Sequence, residues 1–202
     1  TSGTTKSSDT LKSEIINAIS SYNTNTLQKF DSIYRHSRLT GIIDGVDNSI
    51  LSNITIVKIR KSFTPTILSS TKYAIYFRNA LFNPHAGHNM AAGGILSSTG
   101  FKVDGNDNEM FLDDDGSGNV RRYYLQSGIR TYVNSTQGTI DYSNGEIIIN
   151  SLNIASISNI RGVTSTVVEL TITPLSNDVV PVRDQIVEID ISNSNITVTA
   201  DT

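Results

Sequence analysis

The apolar positions of this chain change their period near residue 50. Before that point, apolar side chains recur at helical spacing over residues 11–19, which predicts an amphipathic helix. A break at YNTNT follows, and two further stretches, 27–34 and 39–43, keep the helical period. Gly45 is expected to end the last of these helices, because a residue without Cβ readily takes the left-handed conformation.

Beyond residue 50 the apolar positions alternate, as they do in strands. ILSNITIVKIRKSF alternates through Ile54 and Ile56, which predicts a strand with one covered face. KYAIYFRNALF and TSTVVELTITP predict two more strands, the second of which is stopped by Pro174.

Turn residues organise the rest of the chain. GTIDYSNGEIIIN predicts a β-hairpin with a two-residue type I′ turn at Asn144-Gly145, since both residues tolerate positive φ. Residues 83–108 show no clear period, which indicates a long loop with one short strand at ILSSTGFKV. QIVEIDI and NITVTA predict two short strands near the end of the chain.

The order of these elements predicts an α+β protein: N-terminal helices followed by a mostly antiparallel β-sheet with long loops. We expect a flexible lead-in at residues 1–8 and one α+β core domain at residues 9–173. Within that core, residues 80–128 are expected to form a hairpin and loop insertion. Residues 174–202 are expected to form a C-terminal arm with short strands.

Composition narrows the classes of function. The 202 residues carry a net charge of −3 without a basic run, which gives no electrostatic support for nucleic-acid binding. No stretch approaches the length of a membrane span, so we expect no membrane partner. The chain contains no cysteine, which excludes disulfides and thiolate metal sites. Ser, Thr and Asn make up roughly a third of it, well above ordinary usage.

The segment FLDDDGSGNVRRYYL offers a candidate cation site. Asp113, Asp115 and Ser117 stand at the first, third and fifth positions of an EF-hand-like calcium loop. The twelfth position, where a bidentate glutamate is required, is Tyr124, and the residues after the loop predict a strand. We therefore favour a turn between two strands over a metal site, and expect Arg121 and Arg122 to offset the clustered negative charge.

His85 and His88 are a second weak metal candidate. On a helix they would share one face and could bind zinc, but Pro84 and Gly87 indicate a loop. A third ligand would have to come from elsewhere in the chain, and hydrogen-bonded loop histidines are the simpler interpretation.

Signatures of catalysis and of cofactor binding are missing from the sequence. GGILSSTG is not a nucleophile elbow, and no phosphate-binding loop or dinucleotide fingerprint occurs. No carboxylate pair is singled out by an apolar setting. We therefore expect a protein that is not an enzyme and that has no cofactor.

Four separated blocks, in order, resemble the C-terminal part of a family of baseplate wedge proteins from contractile-tailed, T-even-like bacteriophages. This is the gene-product-six type, related to the baseplate-J-like group. The resemblance runs from about residue 9 to residue 192, and the blocks are LKSEIINAISSYNTNTLQKFDSIYRHSRLTGIIDGVDNSILSNITIVKIRK, FLDDDGSGNVRRYYL, GTIDYSNGEIIIN and PLSNDVVPVRDQIVEID.

The resemblance implies a structural role in the virion. Wedge proteins of this kind dimerise, link neighbouring wedges into a ring and rearrange when the sheath contracts. The implied partners are a second copy of the chain and other wedge subunits, and the implied location is the tail baseplate, assembled in the host cytoplasm. As contact residues we hypothesise two groups with apolar or proline-fixed backbone and basic side chains: Tyr34, Arg35, His36 and Arg38, and Pro174, Pro181, Arg183 and Asp184.

The alternative function is a β-rich receptor- or glycan-binding tail module, with calcium in the Asp113 loop as an optional aid to binding. Sugar sites favour exposed tryptophan, and this chain has none, although it has eight tyrosines.

Overall fold

Helix α1 (Ser8–Tyr22) buries one face, which carries Leu11, Ile15 and Ile19. Its cap is the side chain of Ser7, which accepts a hydrogen bond from the backbone N–H of Thr10 at 3.2 Å. At the predicted YNTNT break the helix passes into a π-helical turn, Asn23–Leu27. The computed structural model describes residues 6–88, 94–182 and 185–199, so most of the lead-in predicted at residues 1–8 lies outside the described residues.

The helix predicted over residues 27–34 is wrong. After Leu27 the chain turns, and Asp31 takes a left-handed backbone with φ of 59°, a conformation that a helix cannot continue. Phe30, expected on a helix face, is 70% exposed. The third predicted helix exists as α2 (His36–Asp44), but Gly45 after it has a φ of −78° and is not left-handed.

In the part of the chain that the structure describes, nine strands follow the helices. They are β1 (Ile59–Phe63), β2 (Ser70–Tyr76), β3 (Leu96–Ser98), β4 (Phe101–Val103), β5 (Asn106–Asp114), β6 (Asn119–Gln126), β7 (Ile129–Asp141), β8 (Glu146–Ile157) and β9 (Val168–Ile172). All their pairings are antiparallel, which confirms the predicted α+β class.

The strands form two sheets. The smaller has the order β1-β9-β3, and the larger has the order β2-β8-β4-β5-β6-β7. Strand β7 also pairs with β8, so the five strands β4 to β8 close into a ring. Strand β8 closes the ring because it is long: its first half pairs with β7 and its second half with β4. The core side chains include Met110, Leu112, Val120, Ile147 and Ile149, none of which is exposed.

The described chain divides into two compact units. The first unit is residues 1–56 with 177–202, and the second unit is residues 57–176. The predicted boundary at residues 173 and 174 does not coincide with this division. Residues 80–128, predicted as an insertion, supply four strands, β3 to β6, to the two sheets. The loop predicted at 83–108 is shorter than expected, because β3, β4 and the start of β5 lie within that range.

The hairpin predicted at GTIDYSNGEIIIN is confirmed as β7–β8. Its connection has four residues, 142–145, because Asp141 pairs directly with Glu146. The two-residue turn predicted there is found instead between β6 and β7, where Ser127 and Gly128 have φ of 52° and 81°. Both central residues of that turn have the positive φ that a type I′ turn requires.

Of three other stretches predicted as strands, one is shorter than predicted and two contain no strand in the described residues. In ILSNITIVKIRKSF the strand begins only at Ile59, and Ile54 and Ile56 are 93% and 78% exposed. The described residues of QIVEIDI and NITVTA contain no strand, and a short 3-10 turn, Ile191–Asn193, begins at the end of the first stretch and is closed by the side chain of Asp190. Neither helix of the described chain has the length and apolar character that crossing a bilayer requires.

Candidate functional site

The three consecutive aspartates of FLDDDGSGNVRRYYL have three different environments. Asp113 and Asp114 end strand β5 and point to opposite faces, since successive strand residues alternate. Asp115 begins the loop to β6. The loop prediction is confirmed, but two of the three carboxylates lie within the strand and are fully or almost fully buried.

Asp113 is the centre of a cluster of cations and tyrosines. Its carboxylate accepts hydrogen bonds from three side chains: Arg121 Nε at 2.9 Å, Arg130 Nη1 at 2.8 Å and the Tyr132 hydroxyl at 2.7 Å. The guanidinium groups also cover aromatic rings, Arg121 over Tyr132 at 4.3 Å and Arg130 over Tyr123 at 4.8 Å. Burial raises the pKa of the Asp113 carboxyl, and the hydrogen bonds from Tyr132 and Arg121 oppose that rise.

Asp114 organises the backbone on the other face. Its carboxylate accepts hydrogen bonds from four donors: the backbone N–H groups of Ile95 at 2.7 Å, Leu96 at 2.8 Å and Gly116 at 3.2 Å, and the Tyr142 hydroxyl at 2.6 Å. Burial and this carboxylate strongly raise the pKa of Tyr142. Asp114 thereby joins the start of β3 and the β7–β8 loop to the end of β5.

Asp115 shapes the loop itself. It accepts from the backbone N–H of Ser117 at 2.7 Å and from the backbone and side chain of Asn119 at 3.0 and 2.7 Å. Burial is the largest single influence and acts upward, but these hydrogen bonds together lower the pKa of Asp115. The carboxylates of Asp113 and Asp115 therefore have different partners, and no cluster of three metal-binding side chains occurs among the residues that the structure describes.

His85 and His88 do come together. Nδ1 of His88 lies 3.1 Å from Nε2 of His85, and both side chains lie in an exposed turn before the undescribed residues 89–93. The two rings meet edge to face. Within the described chain no third ligand joins the pair, so the contact between the imidazoles is the interaction that the structure supports.

The first group of contact residues predicted from the sequence meets a late part of the chain within the first unit. Tyr34 is buried and forms a two-bond backbone bridge with Val179, both bonds being 3.0 Å long. Burial raises the pKa of Tyr34 to about 12. The early helical region and the late arm therefore hold each other, and much of the predicted contact surface already has partners within the chain.

The polar neighbours of Tyr34 are also partnered. Arg35 Nη1 lies 2.8 Å from Asp178, and the same carboxylate accepts the backbone N–H of His36 at 2.9 Å. His36 Nε2 lies 3.1 Å from the carbonyl oxygen of Thr55, and Arg38 covers the ring of Tyr22.

The remaining predicted contact residues lie elsewhere. Pro174 bridges Leu81 in the second unit, and Pro181 is half-buried in the first. Arg183 and Asp184 lie outside the described residues. The sequence-based contact assignment stays a prediction for all of these residues.

Asp178→Asn is expected to lower thermal stability at neutral pH and to matter little in acid. The hydrogen bonds from Arg35 and His36 hold the pKa of Asp178 below its ordinary value of 3.8. A depressed folded pKa contributes stability above the unfolded pKa, and that contribution is lost as pH falls through the folded value. Melting curves of the helical circular-dichroism signal should therefore diverge at pH 7 and converge only as the pH falls through the depressed pKa of Asp178, below 3.8.

The control for this experiment is Asp31→Asn. It makes the same chemical change in the same unit, and asparagine tolerates the left-handed backbone of Asp31. If both variants show the same pH dependence, the pairing of Asp178 with Arg35 contributes nothing to stability.

Sequence reasoning missed the exposed apolar segment at residues 51–56. Alternation there predicted a covered face, but Leu51, Ile54 and Ile56 are 79%, 93% and 78% exposed. The alternation signals a face suited to burial, and in a single copy of the chain nothing in the described structure buries it.

The described sites define a class of protein. The polar clusters around Asp113 and Asp114 are buried and fix loops, and large apolar side chains at residues 51–56 are exposed. Exposed apolar patches of this kind are typical of proteins with a structural or assembly role.

Comparison with known families gives the particular resemblance. Residues 1–62 match the model of the family described as baseplate structural protein gp6, C-terminal domain III. The match confirms the resemblance to gp6-type baseplate wedge proteins that the sequence indicated, and it supports a role as a structural protein of a phage tail baseplate. No curated protein matches the chain.

Proposed function

We propose that this protein is a structural subunit of a phage baseplate wedge that dimerises and joins neighbouring wedges into a ring, without catalysis. The observation that carries the proposal is the family match over residues 1–62, which span both helices of the first unit. Its partners are a second copy and other wedge subunits, and assembly takes place in the host cytoplasm before the baseplate is complete.

The construction of the first unit supports this role. The chain leaves the first unit near residue 56 and returns to it near residue 177, and the Tyr34–Val179 bridge joins the two parts. An element that must transmit force between subunits benefits from such ties, because local opening would require both parts to separate.

The glycan-binding alternative receives less support from the Asp113 loop. A calcium ion needs several free oxygens that converge on one point. Both Asp113 oxygens are taken by Arg121, Arg130 and Tyr132, and Asp115 accepts three hydrogen bonds from its own loop. A calcium ion would have to displace two guanidinium groups to use Asp113.

Light scattering of the whole chain tests the proposal. We expect the mass of two chains over a wide range of concentration, unchanged by a chelator, and co-migration with purified wedge subunits on a sizing column. A monomer at every concentration that binds glycans only when calcium is present would overturn the proposal in favour of the alternative.

A further inference from the structure

Strand β7 has one edge that no other strand covers over the first part of its length. Strand β6 pairs with one side of β7, and β8 pairs with the other side only over residues 138–141. Just before that pairing, the backbone N–H of Thr136 is bonded to the side chain of Asn134. Residues 129–133 have no strand on this side in the described part of the chain. We call these five residues the free edge of β7.

The turn before β7 determines which backbone groups point to the free edge. The register pairs Ile129 with Gln126 across a two-residue turn, and in such a turn the carbonyl group of the first residue accepts a hydrogen bond from the N–H of the last. The backbone groups of Ile129 therefore point to β6. Because these groups alternate along a strand and the register is regular as far as Tyr132, the backbone groups of Arg130 and Tyr132 point away from β6. They have no partner among the described residues.

The side chains of the free edge favour pairing with a further strand. Ile129, Thr131 and Val133 are β-branched, and Ile129 and Val133 are 72% and 42% exposed. The segment contains neither proline nor lysine, the residues that commonly protect an edge strand from pairing. Its one charged side chain, Arg130, is already paired with Asp113 at 2.8 Å.

The other edge strands of the described sheets carry such protection. Strand β2 contains Lys72, and strand β1 contains Arg60 and Lys61. The ammonium group of Lys61 also donates a hydrogen bond to the carbonyl oxygen of Tyr76, the last residue of β2, at 2.6 Å. Strand β3 has only three residues. Among the described edges, the free edge of β7 is therefore the best suited to accept another strand.

The free edge is complementary to a second copy of itself. In an antiparallel pair with a two-fold axis through Thr131, Ile129 faces Val133 of the second copy, which makes an apolar pair on each side of the axis. Arg130 faces Tyr132 of the second copy, the combination of guanidinium group and aromatic ring that the chain already uses twice in this cluster. At the axis, two threonines face one another, and no like charges are opposed.

The backbone geometry selects the same register. Arg130 and Tyr132 both direct their backbone groups to the free edge, so they can form a hydrogen-bonded pair, and Thr131 then lies in a non-hydrogen-bonded pair. An axis through Arg130 would oppose two guanidinium groups. An axis through Tyr132 would place the apolar Ile129 against the polar Ser135.

We propose that two copies of the chain pair through the free edges of β7, antiparallel and about a two-fold axis at Thr131. The larger sheets of the two copies then continue into one another, and every contact away from the axis is made twice. Strand addition of this kind satisfies the free backbone groups and covers the exposed isoleucine and valine. The inference rests on the proposed dimer and names its surface.

Cross-linking of single-cysteine variants tests the register, since the chain has no native cysteine. The two Cα atoms of a non-hydrogen-bonded pair are about 4.5 Å apart, a distance that a disulfide spans. Thr131→Cys, oxidised and run without reductant, should therefore migrate at the mass of two chains.

The matched control is Ile129→Cys. This position is strongly exposed, but the register places its two copies four residues apart along the strands, roughly 14 Å, which is too far for a disulfide. It should stay at the mass of one chain. Equal cross-linking of the two variants, or none at Thr131→Cys, overturns the register.

Charges placed on the axis test the same contact without a covalent bond. Thr131→Lys and Thr131→Glu should each weaken the dimer by about tenfold, because each variant opposes two like charges. An equimolar mixture of the two should dimerise to within about threefold of the parent, because lysine then faces glutamate. Thr139→Lys, at an exposed position of β7 that has a strand on both sides, should leave the dimer unchanged. A mixture that stays as weak as its components overturns the two-fold contact.

The outcomes separate the two proposals. A parent chain that dimerises while Thr131→Lys dimerises equally well refutes the surface and leaves the proposed function standing. A parent chain that never dimerises refutes the dimer itself. If Thr131→Lys instead abolishes binding of a different wedge subunit to a monomeric parent, the free edge accepts a strand of that subunit and the assignment to a second copy is wrong.

Discussion

Replacing Asp114 with alanine should lower the free energy of unfolding by about 4 kcal/mol, because four donors lose their acceptor at once. Three are backbone N–H groups, of Ile95, Leu96 and Gly116, and the fourth is the Tyr142 hydroxyl. Asp114 is only 1% exposed, so water cannot readily replace the lost oxygens. Urea unfolding followed by circular dichroism measures the loss.

Two variants show whether the carboxylate itself is responsible. Asp114→Asn keeps the shape but turns an NH₂ group toward donors, so we expect a loss of about 2–3 kcal/mol. Asp107→Asn makes the same change on an exposed residue of the same strand and should stay within about 0.5 kcal/mol of the parent. A loss at Asp114→Ala no larger than at Asp107→Asn contradicts the assigned role.

For the segment that contains the three aspartates, the sequence predicted the turn but not the burial of the carboxylates. Its glycines and the apolar residues on both sides predicted a hairpin tip, and β5 and β6 confirm it. The burial of Asp113 and Asp114 could not be predicted, because their donors come from distant parts of the chain, such as Ile95 and Tyr142. One signal was available, since Arg121 follows closely enough to pair across a hairpin.

In the fold, too, the elements that were predicted depend on nearby residues, and those that were missed depend on distant ones. Helix α1 and the β7–β8 hairpin depend on spacing and turn residues within a few positions, and both were predicted. The closure of the sheet depends on β8 pairing with two strands along its length, for which a local pattern carries no signal. The helix predicted at 27–34 failed because periodicity alone does not reveal a residue in the left-handed conformation, here Asp31.

Some predicted contact residues have partners within the chain that the sequence did not indicate, for a related reason. Basic side chains next to an apolar backbone suggested an exposed surface, but Arg35 pairs with Asp178, which is far away in the sequence. The alternation at Ile54 and Ile56 identified a face that requires covering, and the structure leaves that face exposed. The alternation correctly indicated an apolar face, but it carries no information on whether the same chain or a second chain covers that face.

Gly138→Ala is expected to destabilise the second unit by about 3 kcal/mol, through a single added methyl group. Gly138 lies in β7 at the point where the ring of strands closes, opposite Ile149 of β8. A Cβ there would overlap the carbonyl oxygen of Ile148 and stand 3.0 Å from the Cα of Ile149. These are backbone atoms of the paired strand, so relief requires β7 and β8 to separate, which opens the ring.

Substitutions of two other glycines serve as controls, because their added methyl groups meet no backbone atoms. Gly128→Ala, also in the second unit, has open space but a φ of 81°, so it should cost only about 1–2 kcal/mol from the left-handed backbone. Gly41→Ala in α2 has open space and no positive φ, so it should stabilise its helix by about 0.5–1 kcal/mol. Urea unfolding of all three should therefore give two losses of unequal size and one gain. If Gly138→Ala costs no more than Gly128→Ala, the strands at the closure are not in close contact there, and the ring is looser than the β7–β8 register implies.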